Sequence, residues 1–325
     1  MDGDPVVFTE DLRKSFPSRK GVVKAVDGVN LAVLPGEIFG FLGPNGAGKT
    51  TTLRMLTTLI PPDSGRAIVA GFDVSTQPNR VRLNIGYVGQ NGGSDLPATG
   101  RENLVLQGRL YGMSAADARA RAEELIELLE LSEFADRIAY TYSGGQRRRL
   151  DVAIGLMNRP QVLFLDEPST GLDPQNRANL WLQINKLRAE GATIFLTTHY
   201  LEEADTLCDR VAIMDEGRIV DEGTPEELKK QVARDCIMIS LKRHEENALG
   251  FLGRLEHEDF VLEAGIEDGQ IRLCVRDLAS GLPQLMRLLD REGMALDSIR
   301  VLETTLDDVF LEKTGYSLRD LTPEG

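Results

Sequence analysis

At 325 residues, 42% hydrophobic and with a formal net charge of -14, the chain is long enough for one large domain and a small one. The acidity argues against nonspecific binding of nucleic acid, which needs a basic surface. No apolar run approaches the roughly eighteen residues of a membrane span, Met1-Asp2-Gly3-Asp4-Pro5 lacks the basic start of a signal peptide, and Cys208, Cys236 and Cys274 are few, odd in number and far apart, so a cytosolic protein with reduced thiols is expected.

In chain order, Ile38-Phe39-Gly40-Phe41-Leu42 reads as a short buried strand that leads into Gly43-Pro44-Asn45-Gly46-Ala47-Gly48-Lys49-Thr50-Thr51. This run fits a phosphate-cradling P-loop, with a helix behind it carried by Leu53, Leu56 and Ile60 until Pro61-Pro62 stops it. Glycines let successive backbone N–H groups turn in around phosphates, and the helix aims its positive end at them. Lys49 is placed for the β- and γ-phosphates and Thr50 for Mg²⁺. By itself the loop leaves GTPases, kinases, helicases and transport ATPases open. Ile85-Gly86-Tyr87-Val88-Gly89-Gln90 follows, then a helix-rich stretch in which Ser114-Ala115-Ala116-Asp117 starts a helix ahead of Leu125, Ile126, Leu128 and Leu129 on an apolar face.

Tyr142-Ser143-Gly144-Gly145-Gln146-Arg147-Arg148-Arg149-Leu150 opens another helix, continued by Ile154 and Met157. Ser143 with two glycines at a helix start makes an anion site free of bulky side chains. The basic run Arg147 to Arg149 reads as a helix face that is solvated or paired with acids. Val162-Leu163-Phe164-Leu165 then has the continuous apolar character of a strand covered on both faces, and it ends in Asp166-Glu167-Pro168. Paired carboxylates at the C-terminal lip of such a strand lie where open α/β sheets bind ligands. Asp166 suits Mg²⁺, and Glu167 suits an attacking water. Ser169-Thr170-Gly171-Leu172-Asp173 and the strand Thr193 to Thr198, ending at His199, come next. Asp215-Glu216-Gly217 joins two strands in a hairpin, and Thr224-Pro225-Glu226-Glu227 places a capping Thr, an N1 proline and a reciprocal Glu.

From Asp235 the pattern changes: strand 236–241, helix 244–254, strands 260–266 and 271–275 across an Asp268-Gly269 turn, helix 280–291 and strand 299–302. That order predicts a small split βαβ domain. The expected division is therefore 1–228, with a helical subdomain at about 91–160, and an accessory α+β domain at 229–325 that stabilises a dimer or regulates it.

Ser-Gly-Gly-Gln opening a helix shortly before an Asp-Glu strand resembles the signature of ATP-binding cassette (ABC) ATPases. The resemblance implies an α/β P-loop NTPase with a mixed sheet and a helical subdomain. It also implies a head-to-tail homodimer in which Ser143, Gly144, Gly145 and Gln146 of one subunit cap ATP on the P-loop of the other. Tyr142 stands where the family usually has Leu. On the same resemblance, Gln90 is the Q-loop glutamine that reaches Mg²⁺ and the attacking water, and Gly89 stands where Pro is common, an expectation of a looser loop. Asp173 belongs to the D-loop and acts across the dimer, His199 is the switch histidine at the γ-phosphate, and Phe16 stacks on adenine. Thr99-Gly100-Arg101-Glu102-Asn103-Leu104, Leu110-Tyr111-Gly112 and the tail Thr305 to Gly315 are similar to the daunorubicin-resistance type of subunit. This implies a peripheral ATPase on the cytoplasmic face of the membrane. It would dock on a separate integral permease of the ABC-2 type, and export a drug, antibiotic or lipid-like molecule. A soluble ABC ATPase of translation or DNA repair is the alternative, weakened by a single cassette with neither coiled-coil nor zinc insertions.

Overall fold

The computed structural model describes residues 4–18, 21–232, 235–241, 245–267 and 269–317. Its elements run β1 (Val7–Ser18), β2 (Gly21–Val33), β3 (Ile38–Leu42), α1 (Lys49–Leu56), β4 (Ser64–Val69), β5 (Phe72–Asp73), α2 (Pro78–Asn84), β6 (Ile85–Val88), α3 (Gly100–Leu110), α4 (Ala115–Leu128), α5 (Gly144–Gly155) and β7 (Val162–Asp166). They continue with α6 (Pro174–Ala189), β8 (Ile194–Thr198), α7 (Leu201–Leu207), β9 (Arg210–Asp215), β10 (Arg218–Gly223), α8 (Pro225–Val232), β11 (Asp235–Leu241), α9 (Glu245–Leu255), β12 (Val261–Glu267), β13 (Gln270–Val275), α10 (Leu278–Arg291), β14 (Leu296–Leu302) and α11 (Leu306–Thr314). Two compact units divide the chain: Met1–Leu228 together with Lys313–Gly325, and Lys229–Glu312.

In the first unit, β10-β9-β3-β8-β7-β6 form a six-stranded sheet, parallel from β9 to β6 with β10 antiparallel at the edge. Every residue of β3, β7 and β8 is buried, as continuous apolar runs require. Phe195 of β8 gathers Phe39, Phe41 and Phe164 at ring distances of 5.4, 5.0 and 5.4 Å. A second, antiparallel sheet, β2-β1-β4-β5, fills the other part of the N-terminal region. The stretch between β6 and β7 is helical as expected. Thr99 and Glu102 form a reciprocal cap at α3, Ser114 caps α4, and α4 buries Leu125 and Ile126.

Helix α1 departs from expectation. It ends at Leu56, because Thr58 takes φ +60° and the Leu59 and Ile60 N–H groups fold back onto the Arg54 carbonyl at 2.8 and 3.3 Å. Ile60 reaches the core from the turn that follows and not from a further helical turn. The hairpin is present as β9–β10, with Glu216 and Gly217 both at positive φ, and Thr224 and Glu227 cap α8 reciprocally.

The second unit has the antiparallel strand order β12-β13-β11-β14 with two helices in a split βαβ arrangement, its core made by Ile237, Ile239, Phe251, Leu273, Leu285 and their neighbours. His244 at the expected helix start and Asp268 of the expected turn lie outside the described residues, as do Met1 to Gly3. The expectation of three reduced thiols is corrected here. Cys236 on β11 and Cys274 on β13 stand directly opposite in the strand register, and their sulfurs are bonded, which leaves Cys208 as the free cysteine. Among the described residues no helix is long and apolar enough to cross a membrane.

Candidate active site

The site forms where β3, β7 and β8 end side by side. β3 runs straight into the P-loop. Gly43 passes so near the hairpin that a Cβ there would sit 2.1 Å from the Met214 carbonyl, and Gly48, at φ +107°, turns the chain into α1. The hairpin also braces the loop: the Gly217 N–H donates to the Ala47 carbonyl at 2.9 Å, and the Gly217 carbonyl accepts from Asp27 at 2.8 Å. Asn45 and Gly46 form the exposed lip, Pro44 is buried below it, and Thr51 is half-buried on the first turn of α1.

Lys49 is buried, and its Nζ donates to the carbonyls of Gly43 at 2.6 Å and Pro44 at 3.0 Å and lies 3.8 Å from Glu167 Oε1. Burial lowers the affinity of this ammonium for its proton, against the opposing pull of Glu167 and Asp166.

The adjacent carboxylates of Asp166 and Glu167 have different partners. Asp166 Oδ1 accepts from the hydroxyls of Thr50 at 3.0 Å and Thr197 at 2.7 Å. A hydroxyl beside a carboxylate at a phosphate loop is a hard oxygen donor set of the kind Mg²⁺ takes when phosphate and water complete its shell. Glu167 stands one residue beyond the strand at φ +46°, a left-handed conformation uncommon for a side chain with a Cβ. Its amide is fixed by the Thr197 carbonyl and hydroxyl, each at 3.1 Å. Glu167 Oε2 accepts from Gln90 at 3.3 Å and Thr170 at 3.2 Å, and His199 Nδ1 lies 3.4 Å away, buried and without a hydrogen bond of its own. Burial pushes the Glu167 carboxyl up, but the His199 ring, Lys49 and Thr170 together outweigh it and hold the group below the usual glutamate range. A charged carboxylate ringed by an amide, a hydroxyl and an imidazole is equipped to orient water and take its proton.

Thus the structure brings Lys49, Thr50, Gln90, Asp166, Glu167 and His199 into one cluster. Ser143, Gly144, Gly145, Gln146, Asp173 and Phe16 stand outside it. Ser143 and Gln146 close on each other as a reciprocal cap at the start of α5, and Asp173 caps α6 through the Asn176 N–H at 2.8 Å. Gly145 leaves room for Asn176, whose Oδ1 would be 2.2 Å from a Cβ there. Tyr142 uses its hydroxyl on the Phe134 carbonyl at 2.6 Å. Phe16 is 39% exposed on the β1–β2 hairpin, with the Lys14 ammonium 5.6 Å over its ring.

One residue contradicts its sequence reading. Arg148, expected on a solvated or acid-paired face, is buried, and its guanidinium donates to backbone carbonyls: Pro168 at 2.8 Å, Gly89 at 2.8 Å and Asp166 at 3.1 Å. Gly89, expected to loosen its loop, is thereby tied down, and its carbonyl also accepts from the Gly92 N–H at 3.1 Å. The sequence signal available was slight: Arg148 shares the inward helical face with Gly145 and Val152.

Comparison with known proteins matches residues 26–170 to the ABC transporter family profile and 223–314 to the profile of the C-terminal domain of DrrA1-3-like ATP-binding proteins. The chain is 43% identical over 305 residues to a daunorubicin resistance ATP-binding protein of Streptomyces coeruleorubidus, covering 93% of this chain and 94% of the relative. A doxorubicin resistance ATP-binding protein of Mycobacterium tuberculosis is 41% identical over 98% of this chain and 96% of its own. A Nod factor export ATP-binding protein of Ralstonia nicotianae is 40% identical over 97% and 96%. Among solved structures, a dimeric ATP-binding cassette in a post-hydrolysis state with ADP and phosphate is similar at TM-score 0.61 and 26% identity, covering 67% of this chain and 98% of that one.

Proposed function

The chain belongs to the ATP-binding subunits of ABC transporters, in the daunorubicin-resistance group, and on that premise we propose how its residues divide the work of an ATP-hydrolysing exporter subunit. The observation that carries the reading is the separate handling of two neighbouring carboxylates: Asp166 tied to Thr50 and Thr197, Glu167 ringed by Lys49, Gln90, Thr170 and His199. Lys49 exchanges its loop carbonyls for β- and γ-phosphate oxygens of ATP. Thr50, Asp166 and Gln90 hold Mg²⁺, which supplies charge neutralisation on those phosphates when bound. Glu167, already ionised, orients the attacking water and draws its proton, with His199 and Gln90 fixing the carboxylate's direction. Phe16 offers a ring face to adenine.

Assembly follows from what that cluster omits. Ser143 to Gln146 and Asp173 open helices outside it, which supports a twofold homodimer whose partner subunit completes each ATP site. The dimeric cassette among the similar structures favours the same arrangement. With no helix suited to spanning a membrane among the described residues, contact with the membrane is through a separate permease, of the ABC-2 type, at the cytoplasmic face. The relatives' names, daunorubicin and doxorubicin resistance and Nod factor export, favour a drug-like or lipid-like cargo. Glu167→Gln tests the chemistry. It keeps shape and hydrogen bonding but removes the charge, so hydrolysis falls by about 10²–10⁴ while ATP still binds and dimers accumulate on sizing columns. Turnover near that of the parent would remove Glu167 from this role.

A further inference from the structure

Resting on that role for Glu167, we infer that Arg148 is a positioning residue that sets the catalytic carboxylate and the Q-loop from the signature helix. Its three acceptors are not scattered. The carbonyls of Asp166 and Pro168 flank Glu167 on either side, so one guanidinium grips both ends of the short segment that carries the carboxylate. That segment holds Glu167 at φ +46°, and a non-glycine residue remains in this region only when its surroundings over-determine it. The third acceptor, the Gly89 carbonyl, belongs to the residue just before Gln90, whose amide meets the same carboxylate.

Arg148 lies on α5, little more than one turn past the Ser143–Gln146 cap. Asp151, one turn further, accepts from the amides of Gly93 and Ser94, both at 3.0 Å, so α5 holds the loop after Gln90 by a second handle. A shift of the signature helix is therefore felt at once by the carboxylate and by the glutamine that meets it. The planar, five-donor fork of arginine is what lets one side chain reach three divergent carbonyls; a lysine in the same place has the charge but not the span. Asp151, Glu203 and Asp166 supply the negative charge around this buried cation.

The test compares full-length parent, Arg148→Lys, Glu167→Gln and the double variant in steady-state hydrolysis of Mg-ATP, with nucleotide affinity measured separately. Arg148→Lys should lower kcat at least tenfold with KM for ATP within about twofold, and the added loss should vanish in the Glu167→Gln background because both act through one group. Arg149→Lys, whose parent side chain bonds to the Leu129 and Glu130 carbonyls, should stay within twofold of the parent. If Arg148→Lys does not stay folded, Arg148→Gln, which carries no buried charge, takes its place. A kcat within twofold of the parent, or the same fold-loss with and without Glu167, overturns the inference. Retained turnover in Glu167→Gln alone would instead overturn the reading of Glu167.

Discussion

Replacing Thr197 by Val removes one hydroxyl with almost no change of shape, at a position fully closed to solvent. That hydroxyl donates to Asp166 Oδ1 at 2.7 Å and accepts from the Glu167 amide at 3.1 Å. The amide keeps a second acceptor, the Thr197 carbonyl at 3.1 Å, so it is not orphaned. Asp166 keeps the Thr50 hydroxyl. The loss is then essentially one hydrogen bond to a charged acceptor, about 1.5–3 kcal/mol, which at roughly 2–4 °C per kcal/mol for a unit of this size lowers Tm by about 3–12 °C. Trp181 is the single tryptophan, buried in α6 of the first unit, and its fluorescence follows that unit without interference from the second. Thr197→Ser, which restores the hydroxyl, should recover most of the loss. A Thr197→Val protein that melts within 1 °C or so of the parent, or a Ser variant as weak as the Val one, would refute the view that the Thr197 hydroxyl fastens the Asp166 carboxylate.

Two further outcomes are expected. Glu203 is fully buried against Ser169 and Trp181, and burial pushes its carboxyl up despite those partners and Arg148; the folded state then binds the proton more readily than the unfolded one, so stability is fullest below the ordinary glutamate range and declines as pH rises through the elevated value. Glu203→Gln should flatten the dependence of Trp181-monitored Tm on pH above the ordinary glutamate range, and an unchanged slope would count against it. Thiol titration of protein unfolded without reductant should find one thiol, Cys208, and three after reduction, since Cys236 and Cys274 are paired; three thiols from the outset would rule the pairing out.

What could be read from the sequence was what short stretches decide by themselves. The P-loop announces itself because Gly43 to Thr51 combine backbone freedom, a lysine and a hydroxyl within one turn of chain. The strand before Asp166 is apolar throughout because both its faces are covered. The helix starts at Ser114 and Thr224 were legible for the same local reason. Arg148 was not. Its acceptors are carbonyls, which every residue carries, and they lie on segments 59, 20 and 18 residues away along the chain. The Cys236–Cys274 pair likewise depends on register between two strands whose separation of 38 residues says nothing about alignment. The early end of α1 turned on Thr58 at positive φ, with Leu59 and Ile60 bonding back to the Arg54 carbonyl, against a hydrophobic spacing that continued to Ile60.

The closing residues of the chain have a practical consequence for how the protein is taken apart. Lys313 reaches Asp221 at 2.8 Å and the Tyr316 hydroxyl donates to Asp215 at 2.6 Å, on the hairpin whose turn supports the P-loop. The second unit is therefore inserted within the first along the chain. A fragment cut at Leu228 discards two of the fastenings behind the nucleotide loop, and its behaviour is a poor guide to the ATPase alone. The instructive deletion is internal: residues 229–312 exchanged for a short glycine-serine tether, with the last stretch of chain retained, so that the module is removed like a cassette from between two bookends.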